Sequence, residues 1–322
     1  MMNEEYPKAY AVFNKDEHIR FLSTSGGIFS LLAEYMIKNG AVVYGAAFDD
    51  HFSVTHIRVA DYEGIAKLRG SKYPQSQVLN CYKSAKRDLD DGKTVFFTGT
   101  PCQIAGLKNF IGKNKNIDNL YTLDFVCHGV ASDMLWRDYV TGLEKNGEIK
   151  NIIFKYKYKG WKKWYFRVDY KDGRYWQRRG HMTSFMNSYL SYANIRPSCY
   201  ECHFKGLHRV SDFTISDCWG IGEQDKLMND NRGLSALLLQ NERAVKIFEQ
   251  ISEFAKYKKY DARALMEGNW TTFKSVKPNK VRTEFFAYVN KNSGQKGLKK
   301  FFSPTVKRWI GYYIKRIKGT EK

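Results

Sequence analysis

Four cysteines, Cys102, Cys127, Cys199 and Cys202, carry the chemistry that this sequence suggests most directly. Each lies in a segment containing Gly, Pro or His, and the last two form a C-x-x-C pair. Thiols set in turns, with a partner three residues away, suit ligation or redox work better than core packing. Four soft sulfur donors accommodate zinc or an iron–sulfur centre, and spacing alone does not separate the two. Disulfides are disfavoured: residues 1–13 are too polar for the apolar core of a secretory signal, so the compartment is expected to be reducing. A thioredoxin-type pair needs a helix start in a strand–helix context, whereas Arg196-Pro197-Ser198-Cys199-Tyr200-Glu201-Cys202 reads as a turn. Cys81, in a helical stretch, and Cys218 read as ordinary buried thiols.

The elements that must position these thiols alternate between strand and helix in the first third of the chain. Ser23-Thr24-Ser25-Gly26-Gly27 precedes an amphipathic helix from Ile28 to Lys38 that stops at Asn39-Gly40, and Ala41 to Phe48 follows as a buried strand. A glycine-rich loop opening a helix offers N–H groups to an anion such as a cofactor phosphate, although Ser and Gly are equally ordinary helix-start residues. Next, Thr94 to Phe97 forms a short strand. Thr98-Gly99-Thr100-Pro101-Cys102 turns it into a helix with Thr100 as N-cap and Pro101 at the first position. Cys102 then falls in the first helical turn, where the dipole favours negative charge, as a metal ligand or a nucleophile requires. A further strand, Tyr121 to Val126, delivers Cys127-His128-Gly129 at its C-terminal end, the edge where open α/β sheets place their sites.

From Asn151 the period changes. Phe154, Tyr156 and Tyr158 alternate with Lys155 and Lys157. Trp164, Phe166, Val168 and Tyr170 do the same before a turn at Asp172-Gly173. Antiparallel strands are predicted over about 151–180. Interleaved basic and aromatic residues can stack on nucleotides, but a half-buried sheet produces the same alternation, and nucleic-acid binding is not favoured. The fold class is therefore α/β, or α+β: an alternating N-terminal region, a β-rich segment and a basic helical tail. Its expected divisions are 1–92, 93–280 and 281–322.

The chain has 322 residues, enough for a substantial core, and 16% of them are aromatic, which argues against disorder. A formal net charge of +20 implies an anionic partner: nucleic acid, acidic lipid, acidic protein or a phosphorylated cofactor. No apolar run is long enough to span a bilayer. A C-terminal helix from Pro304 would align Val306, Ile310, Tyr313, Ile314 and Ile317 along one face, with Lys and Arg largely elsewhere. That pattern suits docking on the protein's own core or on an anionic membrane surface. The expected location is cytoplasmic, including the inner face of the membrane.

Six ordered strings go further: Ser23-Thr24-Ser25-Gly26-Gly27, Arg69-Gly70-Ser71-Lys72-Tyr73, Thr98-Gly99-Thr100-Pro101-Cys102-Gln103, Cys127-His128-Gly129, Arg196-Pro197-Ser198-Cys199-x-x-Cys202 and Ser216-Asp217-Cys218-Trp219-Gly220. Across about residues 8 to 275 they resemble the coenzyme F420 hydrogenase/dehydrogenase beta subunit family. That resemblance implies a flavin and iron–sulfur oxidoreductase that binds FAD, exchanges electrons with a [4Fe–4S] cluster and, in some members, reduces coenzyme F420. It makes Cys102, Cys127, Cys199 and Cys202 the cluster ligands. Ser25, Gly26, Gly27, Ser71, Lys72, Thr98, Gly99 and Thr100 become the flavin-site candidates, with Lys72 a charge near the isoalloxazine or the diphosphate. No catalytic acid or base follows from it. No clustered-cysteine ferredoxin-like segment precedes the shared region, so the resemblance implies a separate ferredoxin-like donor protein. Short bacterial relatives are similar to proteins of surface-polysaccharide synthesis. Ser216 stands where the family often has Gly, and Cys218 fills a variable place. The competing class is a zinc-stabilised, non-catalytic binding module for nucleic acid or an acidic partner.

Overall fold

The computed structural model describes residues 6–305. The strands, in chain order, are β1 (Lys8–Asn14), β2 (Val42–Phe48), β3 (Val54–Val59), β4 (Val95–Thr98), β5 (Leu120–Phe125), β6 (Ile149–Tyr156), β7 (Tyr165–Tyr170), β8 (Tyr175–Arg179), β9 (Phe213–Asp217), β10 (Ser235–Leu239) and β11 (Ala255–Tyr260). Eight of them form one mixed sheet in the order β11-β1-β10-β9-β5-β4-β2-β3. Its centre is parallel, with β2 beside β4, β4 beside β5 and β5 beside β9. The flanking pairs are antiparallel. The fold is α/β, as the alternating pattern predicts.

Short apolar runs form the parallel centre because both faces are covered. Val43 and Phe96 pack under the helices Ile28–Lys38 and Glu242–Ile251. Their neighbours Val42, Tyr44, Val95 and Phe97 meet the helices Cys81–Asp90 and Pro101–Ile111 on the opposite face. The segments 1–92 and 93–280 both contribute to this sheet: β1–β3 come from the first, and β4, β5 and β9–β11 from the second.

β6, β7 and β8 form a second, antiparallel sheet, with β7 and β8 joined through the expected turn at Asp172-Gly173. One face packs on a separate core built from Trp136, Phe154, Phe166 and Phe185. The same core takes Phe285 and Val289 from the helix Arg282–Lys291, and Leu298 and Phe302 from the helix Gly294–Phe302. The first part of the basic segment 281–322 is thus built into the protein's interior. The tail helix expected from Pro304 lies, from Val306 onward, outside the described residues. Among the described residues, no helix is long and apolar enough to cross a membrane.

The alternation at the end of β6 does not place Lys155 and Lys157 in water, although Lys150 at its start is exposed. The pairing slips between Ile153 and Tyr156, and both Lys155 and Lys157 are buried. Lys157 Nζ donates to three carbonyls, Arg20 O at 2.5 Å, Arg232 O at 2.7 Å and Ser25 O at 2.8 Å. It pins the glycine-rich loop to the small sheet. Replacing Lys157 with Met leaves three carbonyls without this donor, that of Arg20 buried and those of Ser25 and Arg232 half-buried. We predict a loss of about 3 kcal/mol of stability, read as a lower urea midpoint with an unchanged slope.

Candidate functional site

The parallel strands β4, β5 and β9 end on one edge of the sheet, and the chemistry gathers there. After β4, Thr100 caps the helix Pro101–Ile111 with a reciprocal capping box to Gln103, as the Thr-Pro-Cys string predicts. Cys102 is therefore held in the first turn, exposed, with its Sγ 3.1 Å from Thr100 Oγ1. After β5, the chain passes through Cys127 to Gly129. A Cβ at Gly129 would lie 2.5 Å from Ile195 Cγ2 and 3.0 Å from Cys199 Cβ, and its φ is +115°. Only glycine lets these two cysteine segments approach so closely. Cys199 lies within a 3₁₀ turn, Pro197–Glu201, and Cys202 directly follows it, which agrees with the turn read from the sequence.

All four thiols line one cavity of about 380 Å³, together with Gln103 and Lys205. Burial pushes the Cys127 thiol up to about 12, with Cys199 and Cys102 adding to the rise, and burial raises Cys199 in the same way. Lys205 stands against this cluster, donating to Cys127 O at 2.9 Å and Thr271 O at 2.8 Å. Burial lowers its pKa, and the thiols of Cys202, Cys127 and Cys199 oppose that change. Among the described residues, no three His, Cys, Asp or Glu side chains group as a site for a single metal ion. Cys218 is fully buried in a third core with Met228 and Leu265, and Cys81 donates its thiol to His56 O at 3.2 Å. Neither lines the cavity.

The eight flavin-site candidates do not converge. Ser71 and Lys72 line a larger cavity of about 940 Å³, between the β2–β3 end and β6, shared with Thr24, Arg69, Phe154 and Lys155. Thr100 faces the cysteine cavity. Thr98 is buried, its O receiving a bond from His56 Nε2 at 3.0 Å, and Gly99 N donates to Leu123 O at 3.1 Å. Because a carbonyl can only accept, His56 carries its proton on Nε2, and its Nδ1 accepts from Ser76 Oγ at 2.6 Å. Burial lowers its pKa to about 4, consistent with this neutral form. Ser25 Oγ donates to Leu234 O at 2.5 Å and Gly26 N to Ser235 Oγ at 2.9 Å, so this loop spends donors on β10. A Cβ at Gly26 would meet Val12 O at 2.5 Å, a packing reason for glycine there. Gly27 has φ +83° at the helix start.

Sequence reasoning assigns no role to Lys155, yet this residue is central. Its Nζ lies 2.6 Å from Asp217 Oδ2 at the end of β9. Burial alone would lower this lysine, but the Asp217 carboxylate and Tyr73 carry its pKa above the ordinary value. Asp217 also accepts from Trp161 Nε1 at 2.9 Å, and Trp161 stacks on Trp219 at 4.1 Å. A lysine in an alternating strand gives no sign of burial in sequence.

With the geometry in place, comparison with known proteins is decisive. The family model for the C-terminal part of the coenzyme F420 hydrogenase/dehydrogenase beta subunit matches residues 92–263, and the model for its N-terminal part matches residues 9–83. This chain belongs to the coenzyme F420 hydrogenase/dehydrogenase beta subunit family. It is therefore an oxidoreductase-type protein with a role in electron transfer. Among solved structures, a chain of the F420-reducing [NiFe] hydrogenase complex from Methanosarcina barkeri shares the fold, with a TM-score of 0.53 and 17% identity over 94% of this chain and 95% of that one. No curated protein matches.

Lys72 gives a pH-dependent prediction. Its Nζ reaches the carbonyls of Leu68, Arg69 and Gly70, each at 3.3 Å, and lies 5.7 Å over the Phe48 ring, and burial lowers its pKa from 10.5 to about 7. Between those two values the unfolded chain binds the proton that the folded protein lacks, so this lysine makes stability rise with pH from about 7 to 10.5. Urea titrations of wild type and Lys72→Met across that window should show the rise in wild type and a smaller one in the variant.

Proposed function

We propose that this beta subunit family member is a flavin and iron–sulfur oxidoreductase. In this reading the cysteine cavity holds a [4Fe–4S] cluster and the larger cavity holds FAD. The carrying observation is that Cys102, Cys127, Cys199 and Cys202, drawn from three separate segments, face one cavity of about 380 Å³. Four thiols on the wall of one roomy cavity suit a multi-iron group, which is held at its corners and occupies more volume than a single zinc bound at about 2.3 Å from each sulfur. Burial disfavours the thiolates that such a group requires at Cys127 and Cys199, so metal charge must offset that cost, with Lys205 contributing.

The larger cavity, at about 940 Å³, is at the upper end of the range for cofactor-sized ligands. Ser71, Lys72, Thr24 and Arg69 would meet the anionic portion of the cofactor. Phe48 and Phe154 would meet its ring system, and Lys155 would present a fixed positive charge. A flavin bound there supplies the exchange of a hydride for two single electrons. Thr98, Gly99, Ser25, Gly26 and Gly27 act in this account by shaping the two loops. The electron donor is a separate ferredoxin-like protein and the acceptor a deazaflavin such as coenzyme F420 or another small acceptor, within a surface-polysaccharide pathway.

Anaerobic purification with iron, sulfide and flavin quantified per chain tests this reading. About four iron and four sulfide with bound flavin support it, and zinc alone, or neither metal nor flavin, overturns it. Serine at Cys102, Cys127, Cys199 or Cys202 should abolish most of the iron and sulfide, while Cys81→Ser and Cys218→Ser should retain them.

A further inference from the structure

The two cavities share a wall. Ala131 N donates to Tyr73 O at 2.9 Å and Gln75 N to Ala131 O at 3.0 Å, so residues 73–75 run beside residues 129–131, and Ala131 pairs in turn with Ile195. Lys72, one residue before this strip, lines the larger cavity, and Gln75, at its end, lines the cysteine cavity. Within the wall, the Tyr73 ring lies 5.1 Å from Phe154 and 4.6 Å from Tyr189. Tyr189 donates its hydroxyl to Gly129 O at 3.2 Å, and Gly129 N donates to Cys127 Sγ at 3.3 Å. An unbroken series of contacts therefore runs from Phe154 on the larger cavity to Cys127 on the smaller one.

Resting on the cofactor reading above, we propose that the Tyr73–Tyr189 ring pair is the electronic contact through which single electrons cross between a flavin in the larger cavity and an iron–sulfur group on the four cysteines. Each crossing moves one electron. No bond forms or breaks, neither phenol loses its proton, and both rings end in the state in which they began. Burial raises the pKa of both phenols, which keeps them neutral. Ring contact matters because tunnelling weakens steeply across an empty gap, and an aliphatic side chain in place of either ring opens one.

The test is flash photoreduction of the anaerobically purified full-length protein, with flavin and cluster absorbance followed separately. Tyr73→Leu and Tyr189→Leu should slow the exchange about tenfold, with cofactor content and both reduction potentials unchanged. Tyr73→Phe and Tyr189→Phe should stay within about twofold of wild type, since the rings remain. A purely structural role would instead reduce cofactor content or shift the potentials. If the leucine variants lose cofactor, Tyr73→Met and Tyr189→Met, which reach further than leucine but leave part of the ring's volume empty, should retain it and still slow the exchange. Aliphatic variants at the wild-type rate, or phenylalanine variants as slow as the aliphatic ones, overturn the bridge alone. Wild-type protein without both chromophores overturns the cofactor reading and the bridge with it.

Discussion

The ion pair between the buried Lys155 and the half-buried Asp217 is the constraint on which the arrangement of the two sheets depends. Lys155 belongs to β6 of the small sheet, and Asp217 closes β9 of the large one, so a 2.6 Å contact links the two sheets, beside the Phe48 ring of β2 that stacks on Trp136 and Phe154 in the small-sheet core. Removing one partner of such a pair strands an uncompensated charge, at a cost of about 3–5 kcal/mol. The carboxylate is further held by Trp161 Nε1, and Asn269 Nδ2 donates to Asp217 O at 2.8 Å. With Lys157 tied to three carbonyls nearby, the small sheet is fixed against the glycine-rich loop and the strand ends together. That fixation sets the separation between the two cavities, which Tyr73 and Tyr189 then fill.

The two cavities differ in charge. The larger one has Lys67, Arg69, Lys72, Lys150, Lys155 and Lys171 in its wall, together with Asp49, Asp50, Glu144 and Glu148, so its basic groups outnumber its acidic ones. The smaller cavity gathers four thiols, of which burial holds Cys127 and Cys199 against ionisation, with Lys205 as a nearby cation.

Local structure is legible in the sequence where the signals are short-range. The helix Ile28–Lys38 and the Thr100–Pro101 cap stand where periodicity and capping chemistry put them, and two cysteines emerge at strand ends, as the alternating pattern predicts. What depends on distant residues is not legible. The glycine-rich loop looks like an anion cradle in sequence, but Gly26 answers to Val12 and Ser235, and Ser25 to Leu234 and Lys157. Lys155 and Lys157 look like the polar side of a strand, because nothing local records a carboxylate or carbonyls waiting across the core. Tyr73 and Tyr189 are likewise ordinary tyrosines until the fold brings their rings together.

The account's central claim is that thiols from three segments converge on one multi-iron group. Anomalous diffraction at the iron edge, from crystals grown anaerobically, tests it most directly. The account predicts one strong iron peak inside the cavity bounded by Cys102, Cys127, Cys199 and Cys202. A peak at the zinc edge alone, or iron bound away from these four thiols, would contradict it.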